Sequence, residues 1–295
     1  MSRTIAIVTD STADLPPDLA RERAISVVPL TVTLDGRSYL DGVDMTPARF
    51  YALLASSTGH PTTSQPSPGL FAEAYARLLR DHDEVLSLHI SAKLSGTYAS
   101  AVQGAALVDA RRIRVVDTQA VSMWLSLLAL GAARLADDGR GIDGIVKTLD
   151  EVSSATAAFF SVQTLEYLRR GGRIGRAGAL LGSVLQIKPI LHIHEGQVAP
   201  LERVRTRERA LTRMVELTRA LDRGQGLCLV IAHAADPAAA QSLANRLQDC
   251  AETLVMQDIG PVVGAHAGPG LVGVTSYPAG ILPLGLRRGL ESVPA

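Results

Sequence analysis

The chain has 295 residues and a mass of 31.1 kDa, which is long enough for two domains of ordinary size. Hydrophobic residues make up 47% of it and charged residues 20%, and this balance excludes a largely disordered protein. The 29 basic and 29 acidic side chains cancel, so the composition argues against nucleic acid as a partner.

In the first half of the chain, predicted strands and helices alternate. Short β-branched or apolar runs predict the strands, and helix-starting pairs such as Thr46-Pro47 predict several of the helices. This order is typical of βαβ units around a mainly parallel sheet, in which ligands bind at the carboxyl ends of the strands. The predicted strands are residues 5–9, 84–90 and 113–117, and the predicted helices are residues 17–23, 47–57, 68–81, 97–108 and 121–136.

The second half follows a Gly-rich break at residues 138–141. A predicted hairpin around Glu195-Gly196 adds antiparallel pairing and therefore implies a mixed sheet. The predicted strands are residues 155–162, 189–194, 197–204, 227–232 and 253–257, and the predicted helices are residues 142–154, 206–221 and 236–251. We therefore expect an α/β protein with two domains. They are an N-terminal α/β/α sandwich with a mainly parallel sheet (1–155) and a C-terminal α/β domain with a mixed sheet (156–277), followed by an extension (278–295).

Cysteine usage and hydropathy predict a cytoplasmic protein. Cys228 and Cys250 form no CxxC pair, so the sequence predicts neither a disulfide framework nor a zinc cluster. At the N-terminus, Asp10 ends the apolar run before it is long enough for a signal segment. The charge-free run at residues 259–286 holds seven glycines and four prolines, which predicts loops and strands rather than an integral membrane segment.

Three segments rich in hydroxyl groups or glycine are candidates for a binding site, and all three are predicted to lie in turns. They are residues 61–67, 91–97 and 260–270. Ser95 and Thr97 stand where a strand passes into a helix, and the N-terminus of a helix favours an anion. His266 lies among glycines, where the backbone can approach a ligand closely. Structural roles stay open, because Ser95 or Thr97 can cap the helix and a loop histidine can simply be packed.

Several other motifs bear on enzyme classes. No lysine follows a glycine, so a P-loop nucleotide site is excluded. The chain has no GxSxG motif, although its hydroxyls and His266 leave a noncontiguous hydrolase triad open. His192 and His194 are two residues apart on one predicted strand, so their side chains lie on the same face. This spacing is compatible with two metal ligands or with an exposed strand face. Asp14 is expected to cap the helix that begins at Pro16-Pro17.

Seven motifs in chain order resemble the DegV family over residues 5–277. They are IVTDSTADLP (7–16), TSQPS (63–67), LSGTYASA (94–101), VVDTQAVSM (115–123), YLRRGGRIG (167–175), KPIL (188–191) and GPVVGAHAGPG (260–270). The resemblance implies a two-domain α/β protein that binds one long-chain fatty acid between its domains. It also implies a carrier without cofactor or enzymatic activity, which presents the acid to a separate dihydroxyacetone-kinase-like fatty acid kinase for acyl-phosphate formation. Such a protein does not bind ATP, in agreement with the missing P-loop.

The resemblance also implies which residues hold the carboxylate of the fatty acid. The corresponding positions here are Thr63, Ser95 and His266, with Thr97 and Ser64 close by and Arg173 as a further candidate. Hydroxyl groups and one histidine can replace the hydration of a carboxylate without a buried salt bridge.

An excess of six positive charges lies between residues 166 and 213. It is interpreted either as a solvated face or, given the resemblance, as a surface that includes Arg203 and Arg207 and docks the kinase or steers an anionic lipid head.

The expected tail pocket has two candidate walls, residues 121–133 and 176–186, for which ordinary core is the competing interpretation. Trp124 stands where the family pattern has a small residue, so its indole either shortens the pocket or packs elsewhere.

Two functions of other classes stay open from the sequence. One is a serine hydrolase or thioesterase that uses Ser95 and His266 with a distant aspartate. The other is a lipid-sensing regulatory module that has no kinase partner.

Overall fold

The computed structural model of the chain describes residues 4–181 and 187–284. Within these ranges the chain forms thirteen strands and ten α-helices. The strands are β1 (Ile5–Asp10), β2 (Ile25–Val28), β3 (Thr31–Leu34), β4 (Arg37–Leu40), β5 (Thr62–Ser64), β6 (Glu84–His89), β7 (Ile113–Asp117), β8 (Ala157–Ser161), β9 (Lys188–His194), β10 (Gln197–Val204), β11 (Leu227–His233), β12 (Ala251–Asp258) and β13 (Val272–Pro278). The helices are α1 (Pro17–Glu22), α2 (Pro47–Ser56), α3 (Pro68–Leu78), α4 (Thr97–Val108), α5 (Met123–Asp137), α6 (Ile142–Ala155), α7 (Glu166–Arg170), α8 (Arg207–Arg219), α9 (Pro237–Leu247) and α10 (Pro261–Ala267).

Capping residues explain where several helices begin. Thr46, Ser67, Thr206 and Asp236 each accept a hydrogen bond from the backbone N–H three residues later. Proline follows three of these caps at the first helical position, where its missing N–H has no cost. These starts agree with the predicted ones to within a residue.

The first sheet is parallel and has the strand order β2-β1-β6-β7. Alternate residues of β1 face opposite layers: Ala6 and Val8 pack in one apolar cluster with α3 and α4, whereas Ile7 packs in another with α5. The predicted α/β/α sandwich is therefore confirmed. The carboxyl ends of β1 and β6 lie at one edge, where the chain turns toward the candidate site.

The second sheet is mixed, as predicted, with the order β10-β9-β8-β13-β11-β12. Only β11 and β12 run parallel, and the other neighbours are antiparallel. Gly273 of β13 lets α5 approach the sheet, because a Cβ there would lie 2.8 Å from Met123 and from Phe160. The end predicted for the helix before β12 was wrong, since α9 ends at Leu247 and residue 251 already pairs in the sheet.

A third, three-stranded sheet was not predicted. Its order is β4-β3-β5, and β5 pairs with β3 through Val32 and Thr63. The strands have only three or four residues, too few for the alternation of apolar and polar residues to stand out. This small sheet matters because it carries the hydroxyl-rich segment that was predicted to lie in a turn.

One apolar cluster joins the two halves of the chain. It contains Ile7 and Leu88 from the first sheet together with Phe160 and Leu191 from the second. The first sheet uses residues up to 117 and the second uses residues from 157 onward. Because the two halves share a core, the predicted domain boundary near residue 155 stays a prediction. In residues 4–181 and 187–284, no helix has both the length and the apolar character needed to cross a bilayer.

One further expectation differs from the structure. Asp14 does not cap α1, because the N-cap of this helix is Pro16. The backbone of Asp14 is left-handed, with φ of 52°, and the Asp14 side chain faces the second half of the chain instead. The first residues of the predicted extension pack onto the fold: Leu282 and Leu284 are buried in the shared core, and Tyr277 donates a 2.8 Å hydrogen bond to the Leu282 carbonyl. Residues 285–295 lie outside the described part of the chain.

Candidate ligand-binding site

A largely apolar cavity lies between the two main sheets. It encloses about 830 Å³ of space that no protein atom occupies, counting its open mouth. Apolar side chains from both halves form most of the wall, which includes Leu30, Ile90, Val121 and Met123 from the first half and Ala158, Phe160, Ile193, Val198 and Leu271 from the second. Such a cavity suits a flexible apolar ligand.

Thr63 reaches this cavity from β5. Its hydroxyl oxygen lies 2.7 Å from Nε2 of His266, although the two residues are 203 positions apart in the chain. The expected turn is therefore a short strand, and the alternation of side chains along it sends Thr63 inward while Ser64 is exposed. Ser64 is next to the site but does not line the cavity.

Ser95 lines the cavity from the turn that joins β6 to α4. The Ser95 and Thr97 hydroxyls are 2.8 Å apart, and the Thr97 N–H donates to the Ser95 hydroxyl over 3.3 Å. Thr97 is fully buried and orients Ser95 rather than facing the cavity. The predicted turn at a helix N-terminus is confirmed here, with Gly96 as the N-cap.

His266 lies near the C-terminal end of α10, so the prediction that it lies in a loop was wrong. The helix begins with Pro261 and ends at Ala267, and the φ of 77° at the following Gly268 permits the terminating turn. Desolvation, and after it the charges of Arg173 and His60, lower the pKa of His266 to about 4. The imidazole is therefore neutral at pH 7, with one N–H to donate.

Arg173 brings a positive charge to the same end of the cavity. Its guanidinium donates hydrogen bonds to the carbonyls of Leu94, at 3.0 Å, and of Gly171, at 2.7 Å. These bonds tie it to the loop that carries Ser95 and to the end of α7. The structure thus brings Thr63, Ser95, His266 and Arg173 together around one apolar cavity.

Other expected residues lie away from the cavity. Trp124 does not line it and packs against the shared core. Arg203 is exposed on β10, and Arg207 forms an ion pair with Asp236 at the start of α9. Of the candidate wall at residues 176–186, residues 182–186 lie outside the described part of the chain. The remainder does not line the cavity.

Three polar residues of the cavity wall were missed, namely Thr12, Ser122 and Thr275. Thr12 and Ser122 belong to motifs that were quoted only for the family resemblance. The unusual backbone of Ser122, with φ of 53°, gives no local sequence signal because the residue is not glycine.

The geometry does not match a serine hydrolase at the predicted residues. The Ser95 hydroxyl pairs with Thr97, and His266 Nε2 faces Thr63. In the described ranges, Nδ1 of His266 has no hydrogen-bond partner, so no aspartate orients the imidazole. An Asp10–His89–Ser87 chain does exist, but all three side chains are fully buried.

The residues that the structure describes include no group of three or more side chains arranged to bind a metal ion. His192 and His194 stack with ring centroids 5.5 Å apart.

Comparison with known proteins identifies the family. The profile of the DegV family, described as an uncharacterised protein family, matches residues 4–279. A DegV domain-containing protein of Streptomyces coelicolor is 44% identical over 280 residues, which cover 93% of this chain and 98% of that protein.

Solved structures agree with this match. One described as showing fatty acid binding of a DegV family protein from Thermus thermophilus has a TM-score of 0.89 and 38% identity, covering 94% of this chain and 99% of that one. Another, described as DegV, a fatty acid binding protein from Bacillus subtilis, has a TM-score of 0.86 and 32% identity, with 94% and 99% coverage. The chain therefore belongs to the DegV family.

Proposed function

We propose that this protein binds one long-chain fatty acid, with the tail in the cavity and the carboxylate among Thr63, Ser95 and His266. The observation that carries the proposal is an apolar cavity with one polar end, where two hydroxyls, a neutral imidazole and a guanidinium converge. The DegV relatives from T. thermophilus and B. subtilis, which are described as fatty acid binding, support the same ligand.

The polar end suits a carboxylate. A carboxylate that leaves water needs several donors, and hydrogen bonds to an ionised acceptor are stronger than those between neutral groups. Thr63 and Ser95 offer hydroxyl donors, Arg173 adds positive charge, and Thr97 holds the Ser95 hydroxyl in place. Ser64 completes the hydroxyl-rich segment at the edge of the site.

The apolar wall suits the tail. Each buried methylene contributes about 0.8 kcal/mol, so a tail of ~15 carbons gains on the order of 10 kcal/mol before the costs of binding are subtracted. The tail therefore supplies most of the affinity, and the polar end sets the orientation.

The first test is extraction of the purified protein with denaturing solvent, followed by mass spectrometry. We expect one equivalent of free fatty acid, or uptake of one equivalent of added oleate or palmitate. Thr63→Val and Ser95→Ala should each weaken oleate binding roughly 10-fold or more, because each removes a hydrogen bond to a charged group.

Thr62→Val is the matched control, since Thr62 neighbours Thr63 on β5 but is exposed on the opposite side of the strand. Unchanged affinity in both Thr63→Val and Ser95→Ala would overturn the assignment of the site. If the purified protein contained no fatty acid and bound no added oleate or palmitate, the proposal of a fatty-acid ligand would be overturned.

We further propose, from the family resemblance, that the protein acts in the cytoplasm as a carrier without enzymatic activity or cofactor. It would present the carboxylate to a separate dihydroxyacetone-kinase-like fatty acid kinase. Arg203 is the sharper probe of a docking surface, because Arg207 already pairs with Asp236 and its reversal would also disturb α9. Arg203→Glu should lower acyl-phosphate formation while oleate binding is retained, whereas Arg80→Glu, in the exposed turn that follows α3, should change neither.

A further inference from the structure

The N-terminus of α10 is held between two acidic residues from the first half of the chain. Asp14 accepts a 2.9 Å hydrogen bond from the Gly260 N–H, and the Val262 N–H faces the carboxyl of Asp41. A side chain at position 260 would begin 2.7 Å from Asp14 Oδ1 and 3.3 Å from Asp41 Oδ1, so any residue other than glycine would push the Asp14 carboxyl aside. Both carboxyls border this one position, and a negative charge on Asp41 acts on Asp14.

Asp14 connects this helix to the opposite wall of the cavity. Its second carboxyl oxygen accepts a hydrogen bond from the hydroxyl of Ser122, which lines the cavity. The Ser122 backbone has φ of 53° and its N–H donates to the Thr12 carbonyl over 2.7 Å. One carboxyl group therefore fixes both a strained turn and the helix that carries His266.

The charges around this pair make double ionisation costly. The titratable groups that face Asp14 and Asp41 are Asp10 and Tyr51, and Asp258 lies near Tyr51. In the described ranges neither Asp14 nor Asp41 forms an ion pair, whereas Asp10 is already paired with His89 at 2.9 Å. Asp41 is 4% exposed, and its Oδ2 has no hydrogen-bond partner in the described part of the chain.

Burial is the largest influence on both groups. It raises the pKa of Asp41 to about 7, against the lowering effect of Ser11 and Val262. Burial also raises the pKa of Asp14 well above its usual range, and the neighbouring Asp41 adds to this increase. We call the arrangement in which α10 packs against Asp14 and Asp41 closed. In it the buried carboxyls keep protons that exposed carboxyls would release at the same pH.

We propose that Asp14 and Asp41 are positioning residues that hold α10 and His266 against the cavity in a proton-bearing state, so that fatty-acid affinity falls as this state is lost. The part that concerns affinity rests on the proposed function. Between pH 4 and 7, exposed carboxyls are ionised while the closed pair keeps a proton. Raising the pH through this window favours release of the helix. For one proton, the equilibrium constant between the released and the held helix changes by at most about tenfold per pH unit.

The ligand-free protein provides the first test. The Cε1–Hε1 signal of the His266 imidazole, assigned with His266→Gln, is followed by NMR from pH 5.5 to 8. His266 itself has a pKa of about 4 and does not titrate there. We expect its signal to shift in this window in the wild type and to stay constant in Asp41→Asn. A constant wild-type signal would overturn the proposal, even if the variant failed to fold.

Affinity provides the second test. Oleate binding by the wild type and Asp41→Asn is measured at pH 5.5 and 8.0, and the ratio of the two affinities cancels any change in the oleate itself. We expect the wild-type affinity, relative to the variant, to fall about threefold or more. Asp44→Asn is the matched control, because Asp44 is an exposed carboxyl three residues away that accepts from the Leu40 N–H.

The outcomes separate the two proposals. An unchanged affinity ratio would overturn the link between the pair and binding. Absence of oleate binding at both pH values would overturn the proposed function, while the imidazole signal would still decide whether Asp14 and Asp41 position α10.

Discussion

At the scale of single residues, His266 illustrates how burial decides the chemistry of a side chain. An exposed histidine would be partly charged near neutral pH, but His266 is desolvated and lies near Arg173 and His60. The neutral imidazole can accept from or donate to the Thr63 hydroxyl at 2.7 Å. The positive charge that favours a carboxylate in this site therefore comes from Arg173 rather than from the histidine.

The lowered pKa of His266 has a consequence for stability in acid. The unfolded chain takes up a proton near pH 6.5 and the folded chain only near pH 4, so stability is lost as the pH falls through this window. We expect acidification from pH 7.5 to 5.0 to cost the wild type about 1–2 kcal/mol more than His266→Gln. Urea unfolding of both proteins at the two pH values measures this difference, and equal losses would contradict the assigned shift.

At the scale of elements, the contact between α7 and α10 positions the imidazole. Gly171, at the end of α7, lies against Nδ1 of His266, and a Cβ at this position would overlap that nitrogen. Its φ of −73° is acceptable for any residue, so glycine is needed here for space and not for backbone conformation. The RGG segment is therefore part of the support of the site.

Gly171→Ala tests this contact. We expect the added methyl group to displace His266 and weaken oleate binding roughly 10-fold, while the helical content measured by circular dichroism is retained. Gly144→Ala is the matched control, because a Cβ at position 144 meets no atom within 4 Å. Full affinity in Gly171→Ala would show that the imidazole can move without loss.

At the scale of the whole molecule, the cavity exists only because the two halves of the chain share an apolar core. The first half supplies Thr63 and Ser95, and the second supplies Arg173 and His266. The polar end and the apolar wall are each built from both halves, but they consist of different side chains. We expect their contributions to binding to be nearly independent, since distant sites usually add.

A series of saturated fatty acids from ten to eighteen carbons tests this independence by calorimetry. Affinity should rise roughly two- to fourfold per methylene until the cavity is filled, because each methylene leaves water. Thr63→Val should lower every affinity by a similar factor and leave this slope unchanged. An affinity that does not depend on chain length would contradict binding of the tail in the apolar cavity.

Much of the fold and part of the site follow from local sequence patterns. Apolar runs and helix caps such as Thr46 and Ser67 determine where strands and helices lie, because these signals act over a few residues. The turn with Ser95 and Thr97 before α4 was predicted for the same reason. The short β4-β3-β5 sheet was not, because its strands are too short to show a clear periodicity and β5 pairs with β3 across some thirty residues.

The sequence by itself determined the alternation of elements, the family and the residue types that form the polar end. Only the tertiary structure decided that residues 261–267 are a helix between two acidic side chains, and that Asp14 faces Gly260 instead of capping α1. It also decided that Thr97 supports Ser95 rather than lining the cavity, and that Trp124 stays outside it. The physical reason is that burial, the closeness of like charges and the packing of glycines against side chains depend on residues far apart in the chain, such as Asp14 and Gly260.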